Sequence, residues 1–359
     1  MASALSYVFL GLSITSSWGN GHATTYRGLL RELATRGHEV LFLERDLPFY
    51  RANRDLPKPP FGTTRLYDTV EDLFERYAAE IREADFVVIG SYVPDGIEVA
   101  ERVLASRRKN VAFYDIDTPV TLQGLRDGTT AYLSKELVSR FDLYFSFTGG
   151  PVLRTLETEY GAKRARALYC GVDPELYFPE KRSIEYELGY LGTYSEDRQS
   201  SLNRLLLDTA RIRPEKHFIV AGPQYPDGIS FPPNVKHVVH LPPGKHRAFY
   251  GSQRFTLNVT REAMRRLGFS PSVRLFEAAA CGTPILSDTW PGIETFFEPG
   301  REILLVNGTE DVLRILDTMS EAERVAMGKR ARERVLREHT SAHRAETFER
   351  LTRQALEAR

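Results

Sequence analysis

The feature that most constrains this chain is the alternation of short apolar runs with helical patterns, which occurs twice along the sequence. Residues 5–12 are apolar and rich in β-forming side chains, and residues 26–33 carry apolar side chains at helical spacing. Gly37 then suits the left-handed end of a helix, and residues 38–43 read as the next strand. Strands that alternate with helices predict a parallel, doubly wound sheet, so the expected fold class is α/β.

The alternation is interrupted once, and the interruption predicts a domain boundary. Before it, strands are predicted at 86–89, 111–114, 143–147 and 167–169, with helices at 95–105 and 151–160. Residues 173–182 then contain two prolines and no periodicity. After it, strands are predicted at 186–191, 217–221, 235–239, 255–259 and 284–286, with helices at 197–210 and 271–281. A length of 359 residues also favours two domains, since single cores stop growing near about 250–300 residues.

We therefore expect two Rossmann-like domains, residues 1–176 and 184–338, that face a cleft. The stretch 321–358 is charged and helical in pattern, and its last part, 339–359, is expected to pack back on the first domain. Ligands should bind in the cleft, because open parallel sheets bind them at the carboxyl ends of their strands.

Composition narrows the classes of partner. Forty-eight basic residues balance forty-eight acidic ones, so no net field draws the chain to nucleic acid. Residues 5–12 are too short to span a bilayer, and no basic segment precedes them as in a signal peptide. Cys170 and Cys281 form no CxxC pair, so we expect neither disulfides nor a cysteine zinc site. These features favour the cytoplasm.

The segment 270–284 reads as a helix with both ends marked. Ser270 is a candidate N-cap, Pro271 suits the first helical position, Gly282 suits the position after the end, and Pro284 prevents continuation. The first turn of such a helix offers free N–H groups and a partial positive charge. The segment therefore predicts a phosphate site.

Arg274 sharpens this prediction. A cation near a helix N-terminus is opposed by the helix dipole by about 0.3–1 kcal/mol, and a bound anion would reverse that penalty. Glu277 lies three residues further on the same face, where a carboxylate could accept hydrogen bonds from ribose hydroxyls. The alternative is a solvated Arg274–Glu277 ion pair.

A second segment has a similar pattern, with an arginine in the first turn of a predicted helix. Gly192 and Thr193 follow a predicted strand, and Arg198 lies in the first turn of the next predicted helix. Two arginines at helix starts in one domain suggest a bound diphosphate, with Arg261 as a third candidate. A solvated surface position is the alternative for Arg198.

At this point the chain resembles a family, the bacterial CgeB-type (spore-maturation-protein-B-like) glycosyltransferases, which are related to glycosyltransferase family 4. The resemblance rests on FYDIDTP at 113–119, FSFTGG at 145–150, LGTYSEDRQ at 191–199, FTLNVTR at 255–261, residues 270–304 and HTSAHR at 339–344. It implies the two-domain GT-B fold, with a nucleotide-sugar donor on the second domain and an acceptor on the first.

The resemblance also implies roles for single residues. Glu277 matches the second glutamate of an E-x7-E pattern, which holds the ribose, whereas Phe269 occupies the place of the first glutamate. Glu294 and Gly292 match a loop that approaches the donor sugar. The implied donor site as a whole comprises Gly192, Thr193, Arg198, Gly222, Pro223, His240, Leu241, Arg261, Ser270, Ser272, Val273, Arg274, Glu277, Gly292 and Glu294, of which Gly222, Pro223, His240 and Leu241 would form the base pocket.

The implied reaction is a hexosyl transfer, with retention and without a metal or a separate cofactor, and a UDP-sugar is the favoured donor. Arg198 and Arg274 would stabilise the leaving diphosphate. An inverting route is the alternative, with His22 as base and Asp115 or Asp117 as its partner, beside Gly21 on the acceptor side. A non-catalytic nucleotide-sugar-binding or structural protein is a further alternative. Thr24 stands where a dinucleotide fingerprint needs a third glycine, so an oxidoreductase is disfavoured.

Three weaker patterns remain. Asp115 and Asp117 spell a short DxD pattern that binds metal in another glycosyltransferase fold, and we discount it here. His339 and His343 could share a helix face but have no third ligand nearby. The loop 45–65 carries five basic residues around Phe49 and Tyr50, which allows contact with an acceptor or a membrane surface, although a solvated loop is the simpler interpretation.

Overall fold

The computed structural model describes residues 3–107 and 110–358. These residues form two compact units. The first comprises the chain up to Gly171 together with the residues from Ser341 onward, and the second is Val172–Thr340. The sequence had placed these two boundaries at 176–184 and at 339.

The first unit is a parallel sheet flanked by helices. Its strands are β1 Ser6–Gly11, β2 Glu39–Arg45, β3 Thr63–Tyr67, β4 Phe86–Gly90, β5 Val111–Asp115, β6 Leu143–Ser146 and β7 Ala165–Ala167. Its helices are α1 Gly21–Thr35, α2 Pro48–Arg51, α3 Val70–Glu83, α4 Gly96–Ser106, α5 Thr118–Asp127, α6 Lys135–Val138 and α7 Val152–Thr158. The sheet order within the described residues is β3-β2-β1-β4-β5-β6-β7.

The C-terminal helix of the chain, Ser341–Glu357, belongs to this unit and completes its core. Phe348 packs against the rings of Tyr7, Phe9 and Phe145, with centroids 5.1–5.6 Å apart. The Tyr7 and Thr352 hydroxyls share a hydrogen bond of 2.9 Å. The apolar face of this helix, centred on Phe348, thus packs against the core of the first sheet.

The second unit repeats the architecture. Its strands are β8 Tyr186–Leu191, β9 Phe218–Ala221, β10 Val235–Val238, β11 Gln253–Asn258, β12 Ile285–Ser287 and β13 Leu304–Leu305. Its helices are α8 Glu196–Leu202, α9 Asp208–Ile212, α10 His246–Gly251, α11 Glu262–Leu267, α12 Val273–Ala280, α13 Thr309–Thr318 and α14 Glu321–Glu338, and the C-terminal helix of the first unit is α15. A π-helical segment, Asn203–Leu207, joins α8 to α9. In the part of the chain that the structure describes, the strand order is β10-β9-β8-β11-β12-β13.

Both sheets are parallel throughout their described pairings, which confirms the α/β fold class and the two Rossmann-like domains. In each sheet the strand order reverses beside the first strand, between β1 and β4 and between β8 and β11. Ligands of doubly wound sheets bind beyond the carboxyl ends of the strands at this switch point.

Two elements differ from the predictions. The loop expected at 45–65 contains α2 and runs into β3, an edge strand whose mostly polar residues alternate between exposed and half-buried positions and give no apolar run. The helical stretch expected from 321 to 358 is divided into α14 and α15 at His339 and Thr340.

Candidate functional site

Three arginines of the second unit come from the carboxyl-end loops of neighbouring strands. Arg198 follows β8, Arg261 follows β11, and Arg274 lies in the first turn of α12. Because β8 and β11 are adjacent in the sheet, their loops and the helix N-terminus meet at the switch point.

The N-terminus of α12 begins two residues later than predicted. Ser272, not Ser270, is the N-cap, and its hydroxyl accepts a 3.3 Å hydrogen bond from the Arg274 N–H. Ser270 instead donates its hydroxyl to the Gly268 carbonyl at 3.0 Å, so Pro271 precedes the helix. Gly282 has the left-handed backbone expected after the helix end, with φ +74°.

Arg274 is fixed by the end of β8. Its Nη1 donates to the Leu191 carbonyl at 2.7 Å and its Nε to the Ser272 hydroxyl at 3.1 Å, while the guanidinium lies 5.7 Å from the centre of the Tyr190 ring. A Cβ at Gly192 would lie 2.4 Å from Arg274 Nη1, so a larger residue there would displace the guanidinium from this position.

Arg198 is a buried cation. It is 7% exposed, donates one Nη2 hydrogen bond to the Thr193 carbonyl, and has a buried Nε without a partner among the described residues. Burial lowers the pKa of Arg198, and the nearby charges of Arg274 and Arg261 lower it further. A buried cation next to two half-buried ones can bind an anion such as a phosphate, which would compensate both their repulsion and the unpaired donor.

Asp197 joins the loops that carry two of these arginines. Its carboxylate accepts a 2.8 Å hydrogen bond from the Glu262 N–H, next to Arg261, and a second one from the Ser195 hydroxyl. Sequence patterns did not single it out, although an acid immediately before Arg198 was a visible signal.

A buried network fixes the end of β11. Asp288, 6% exposed, accepts hydrogen bonds from both the N–H and the hydroxyl of Thr260, at 3.0 Å and 2.8 Å. Burial raises the pKa of Asp288 and outweighs these hydrogen bonds, which act in the opposite direction. Sequence reasoning missed this acid as well, although it lies two residues after a predicted strand. The network holds the residue that precedes Arg261.

Glu277 does not pair with Arg274. It is 2% exposed and accepts a 3.1 Å hydrogen bond from the Tyr250 hydroxyl, and His246 Nδ1 lies 3.5 Å from its carboxylate. The other ring nitrogen of His246 lies 3.2 Å from the Leu241 carbonyl. Glu277 is thereby connected to the loop after β10, which contains the predicted base-pocket residues His240 and Leu241.

The loops after β8 and β9 touch through glycines. A Cβ at Gly222 would lie 1.9 Å from the Gly192 carbonyl oxygen, and the Tyr194 N–H donates to the Pro223 carbonyl at 2.9 Å. Gly222 and Pro223 therefore lie directly beside the loop that leads to Arg198.

The loop 291–294 contacts the segment before α12. The Phe269 N–H donates to the Pro291 carbonyl at 2.7 Å, and a Cβ at Gly292 would lie 2.4 Å from the Phe269 ring. Phe269 has a left-handed φ of +48°, which is strained for a large side chain. Glu294 is exposed within the short 3-10 helix Ile293–Thr295.

In the first unit, His22 lies next to Gly21 in the first turn of α1. Its N–H donates to the Asn20 side chain at 3.0 Å, and its ring meets the Tyr92 ring edge-on with centroids 5.4 Å apart. Burial lowers the pKa of His22 to about 4, and its Nδ1 has no hydrogen-bond partner among the residues described.

The expected pairing of His22 with an aspartate is wrong, because Tyr92 lies between them. Tyr92 donates its hydroxyl to Asp117 at 3.0 Å. Asp115 is fully buried and accepts hydrogen bonds from Tyr144 and Thr121, each at 2.7 Å. Burial raises the pKa of Asp115 to about 6.

The weaker patterns are also placed by the structure. His339 ends α14 and stacks on Phe276, whereas His343 belongs to α15, so the two histidines do not share a helix. Residues 3–107 and 110–358 contain no cluster of His, Cys, Asp or Glu that could hold a metal ion. None of the helices within these ranges is long and apolar enough to cross a membrane.

Three of the five basic residues of the loop 45–65 form ion pairs. Arg51 and Arg54 form ion pairs with Asp46, and Arg45 pairs with Asp95. Phe49 remains 53% exposed.

Comparisons with known proteins bear on this architecture. Residues 198–350 match the family model Glyco_trans_1_2, described as glycosyl transferase-like. A comparison with curated proteins finds no match.

Solved structures match over almost the whole chain. Sucrose-phosphate synthase from Thermosynechococcus elongatus is 18% identical with a TM-score of 0.73, covering 99% of this chain and 100% of that one. HepE from Anabaena, in complex with UDP and glucose, is 13% identical with a TM-score of 0.72 (98% and 100%). An alpha-glucosyltransferase in complex with UDP-glucose and DNA has the same identity, TM-score and coverage. The fold is therefore that of the GT-B glycosyltransferases.

Proposed function

We propose that this protein is a glycosyltransferase that moves a sugar from a nucleoside-diphosphate sugar to an acceptor hydroxyl. The observation that carries the proposal is the buried, partly unpaired Arg198 beside Arg274 at the N-terminus of α12. The glycosyl transferase-like match covers both arginines, and HepE and the alpha-glucosyltransferase are solved with UDP or UDP-glucose, which supports a UDP-sugar as donor.

In this proposal the diphosphate binds to Arg198, Arg274 and the free N–H groups of Ser272 and Val273. Arg261, held by Asp197 and the Asp288 network, adds a third charge. Each charge-assisted hydrogen bond contributes about 1.5–3 kcal/mol. Because the leaving diphosphate gains negative charge as its bond to the sugar breaks, these groups stabilise the transition state more than the ground state.

Glu277 accepts hydrogen bonds from the ribose hydroxyls of the donor, and the loop with Leu241 borders its base. His246 supports this assignment because it spans Glu277 and the Leu241 carbonyl. Ribose binding requires the carboxylate to exchange its Tyr250 contact for the sugar, or to share it.

The donor sugar lies beside Gly292 and Glu294. The segment 268–269 packs directly on this loop and leads into the helix that would hold the phosphates. Glu294 is exposed and able to contact a sugar hydroxyl.

The reaction we favour is a retaining hexosyl transfer without a metal. The bond between the anomeric carbon and the diphosphate oxygen breaks, the acceptor oxygen bonds to the same face, and a diphosphate oxygen takes the hydroxyl proton. Phosphate recognition by arginines and helix N–H groups supports a route that needs no cation.

The acceptor binds to the first unit, near His22, Tyr92 and Asp117. An inverting reaction with His22 as base is less well supported, because burial lowers its pKa and its ring meets Tyr92 rather than an aspartate. The quoted motifs support membership of the CgeB-type glycosyltransferases, and two buried cysteines that form no disulfide with each other support a cytoplasmic location.

A non-catalytic nucleotide-sugar-binding protein is the rival function. The feature that favours it is Phe269, an apolar side chain where the E-x7-E pattern has a glutamate.

The test is calorimetric titration of the protein with UDP, GDP, dTDP, ADP and CDP, each with and without magnesium. We expect selective, magnesium-independent binding of one of them, followed by transfer from the matching sugar donor. The anomeric configuration of the product, read by proton NMR, distinguishes retention from inversion. Absence of binding by all five would refute the proposal, and binding without turnover over a broad acceptor panel would favour the rival.

A further inference from the structure

An aromatic cluster lies beside the arginines and has no role in the donor site described above. It consists of Tyr194, Tyr225, Phe231 and His237. The Tyr194 and Tyr225 rings meet edge-on with centroids 5.6 Å apart, and Tyr225 packs in the same way on Phe231 and His237 at 5.6 Å and 5.0 Å. Phe231 and His237 stack on each other at 4.5 Å.

The cluster is rigidly attached to the loop that leads to Arg198. The Tyr225 hydroxyl donates to the Gly192 carbonyl at 3.3 Å, and the Tyr194 N–H donates to the Pro223 carbonyl at 2.9 Å. Both rings are only half-buried. Burial raises the pKa of Tyr225, and the charges of Arg198 and Arg274 oppose that rise.

The position of the cluster in the sheet indicates which part of a ligand it meets. Tyr225 follows β9, on one side of β8, whereas the Gly292 loop follows β12, on the other side of β8 and β11. A ligand whose phosphates lie at Arg198 and Arg274 therefore extends one substituent toward Tyr225 and the other toward Gly292. The loop with Leu241, after β10, lies on the Tyr225 side.

We propose that Tyr194 and Tyr225 form an aromatic platform for the nucleobase of the donor, next to the arginines that hold its phosphates; because the two rings are tilted by 65°, the base stacks on one ring and meets the other edge-on. This inference rests on the proposed function and adds a specificity-determining surface to it. A base stacked on an aromatic side chain gains about 1–3 kcal/mol, and every base offers a flat face for such a contact. Phe231 and His237 buttress Tyr225 from behind.

The experiment compares three ligands by calorimetry: inorganic pyrophosphate, the tightest binder among UDP, GDP, dTDP, ADP and CDP, and the corresponding nucleotide-glucose. The variants are Tyr194→Ala, Tyr225→Ala and Tyr225→Phe. Tyr186→Ala is the matched control, because Tyr186 lies at the amino end of β8, at the opposite end of the strand from the loop that leads to Arg198.

We expect Tyr194→Ala and Tyr225→Ala to weaken nucleotide binding about 5- to 150-fold, the fold-change that corresponds to the loss of one stacked base. Pyrophosphate binding should stay unchanged, and Tyr225→Phe should keep nucleotide affinity because it keeps the ring. Tyr186→Ala should match the wild type with all three ligands.

Three results would overturn the platform alone, and a fourth would overturn it together with the proposed function. Equal losses for pyrophosphate and nucleotide would mean that the tyrosines only support the arginines. A loss confined to the nucleotide-glucose would mean that they contact the sugar. Unchanged nucleotide affinity in both alanine variants would remove them from the site while leaving the proposed function intact. A wild-type protein that binds pyrophosphate and no nucleotide would instead refute the proposed function, and the platform with it.

Discussion

Replacing Arg198 by methionine should weaken anion binding without weakening the fold. Methionine is flexible and apolar, so it can fill much of the space that the buried arginine stem occupies. The substitution removes a cation that is 7% exposed and lies close to Arg274 and Arg261. It also removes the buried Nε, which has no partner among the described residues.

The structure gives the magnitude of each effect. Loss of one charge-assisted hydrogen bond to a phosphate costs about 1.5–3 kcal/mol, which corresponds to a Kd increased about 10- to 150-fold. In the empty protein, removal of an unsatisfied buried donor recovers about 1–3 kcal/mol. The lost hydrogen bond to the half-buried Thr193 carbonyl offsets about 1 kcal/mol of this. The net change in unfolding free energy is therefore between about zero and about 2 kcal/mol in favour of the variant.

The assay combines calorimetric titration of pyrophosphate and UDP with thermal unfolding. For a unit of this size each kcal/mol corresponds to about 2–4 °C, so the Tm should stay constant or rise by several degrees. Arg314→Met is the matched control, since Arg314 is 65% exposed in a surface ion pair and its loss should leave both quantities nearly unchanged. A lowered Tm with unchanged pyrophosphate affinity would show that Arg198 is structural and would refute the anion site.

Three further predictions follow from single contacts. Gly222→Ala should destabilise the second unit by at least about 1–3 kcal/mol in chemical denaturation, because the alanine Cβ would lie 1.9 Å from the Gly192 carbonyl oxygen at a φ of +152°. An unfolding free energy equal to that of the wild type would contradict this close approach. Asp197→Ala should raise the Kd for pyrophosphate although it removes a negative charge, because it breaks the hydrogen bond from the Glu262 N–H that connects the two loops bearing Arg198 and Arg261. Tighter pyrophosphate binding in this variant would mean that the charge of Asp197 matters more than its positioning role. Burial lowers the pKa of His22 from about 6.5 to about 4, so the folded protein takes up this proton less readily than the unfolded chain. The unfolding free energy of the wild type, measured relative to that of His22→Gln, should therefore be constant above pH 6.5 and fall between pH 6.5 and pH 4. Parallel pH profiles of the two proteins would contradict this prediction.

The parts of the site that sequence reasoning found are those with local signals. An arginine in the first turn of a helix after a strand is visible at Arg198 and Arg274, and the glycine after α12 marks the helix end. The error at the N-cap has a tertiary cause. Both Ser270 and Ser272 could cap the helix, and the choice depends on the packing of residues 268–270 against Pro291, which engages the Ser270 hydroxyl locally.

The parts that were missed depend on contacts between distant loops. Asp197 matters because it meets Glu262, and Tyr225 because it meets Gly192. Tyr92 lies between His22 and Asp117, where the sequence suggested a direct pair. Neither spacing nor composition encodes such contacts.

Strain and unpaired charge are concentrated at the same edge of the second sheet. Among the residues described in that unit, Gln224 and Phe269 are the non-glycine residues with a left-handed φ; Gln224 follows β9, and Phe269 lies between α11 and the N-terminus of α12. Such backbone costs about 1–3 kcal/mol at each position, and the buried Nε of Arg198 adds a similar cost. The apolar core beneath, built around Leu188, Phe218 and Phe255, must offset these terms in the empty protein. An anionic ligand would compensate the charge but not the backbone strain, so its charge-assisted contacts to Arg198 are one part of the affinity that determines how far ligand binding stabilises the second unit.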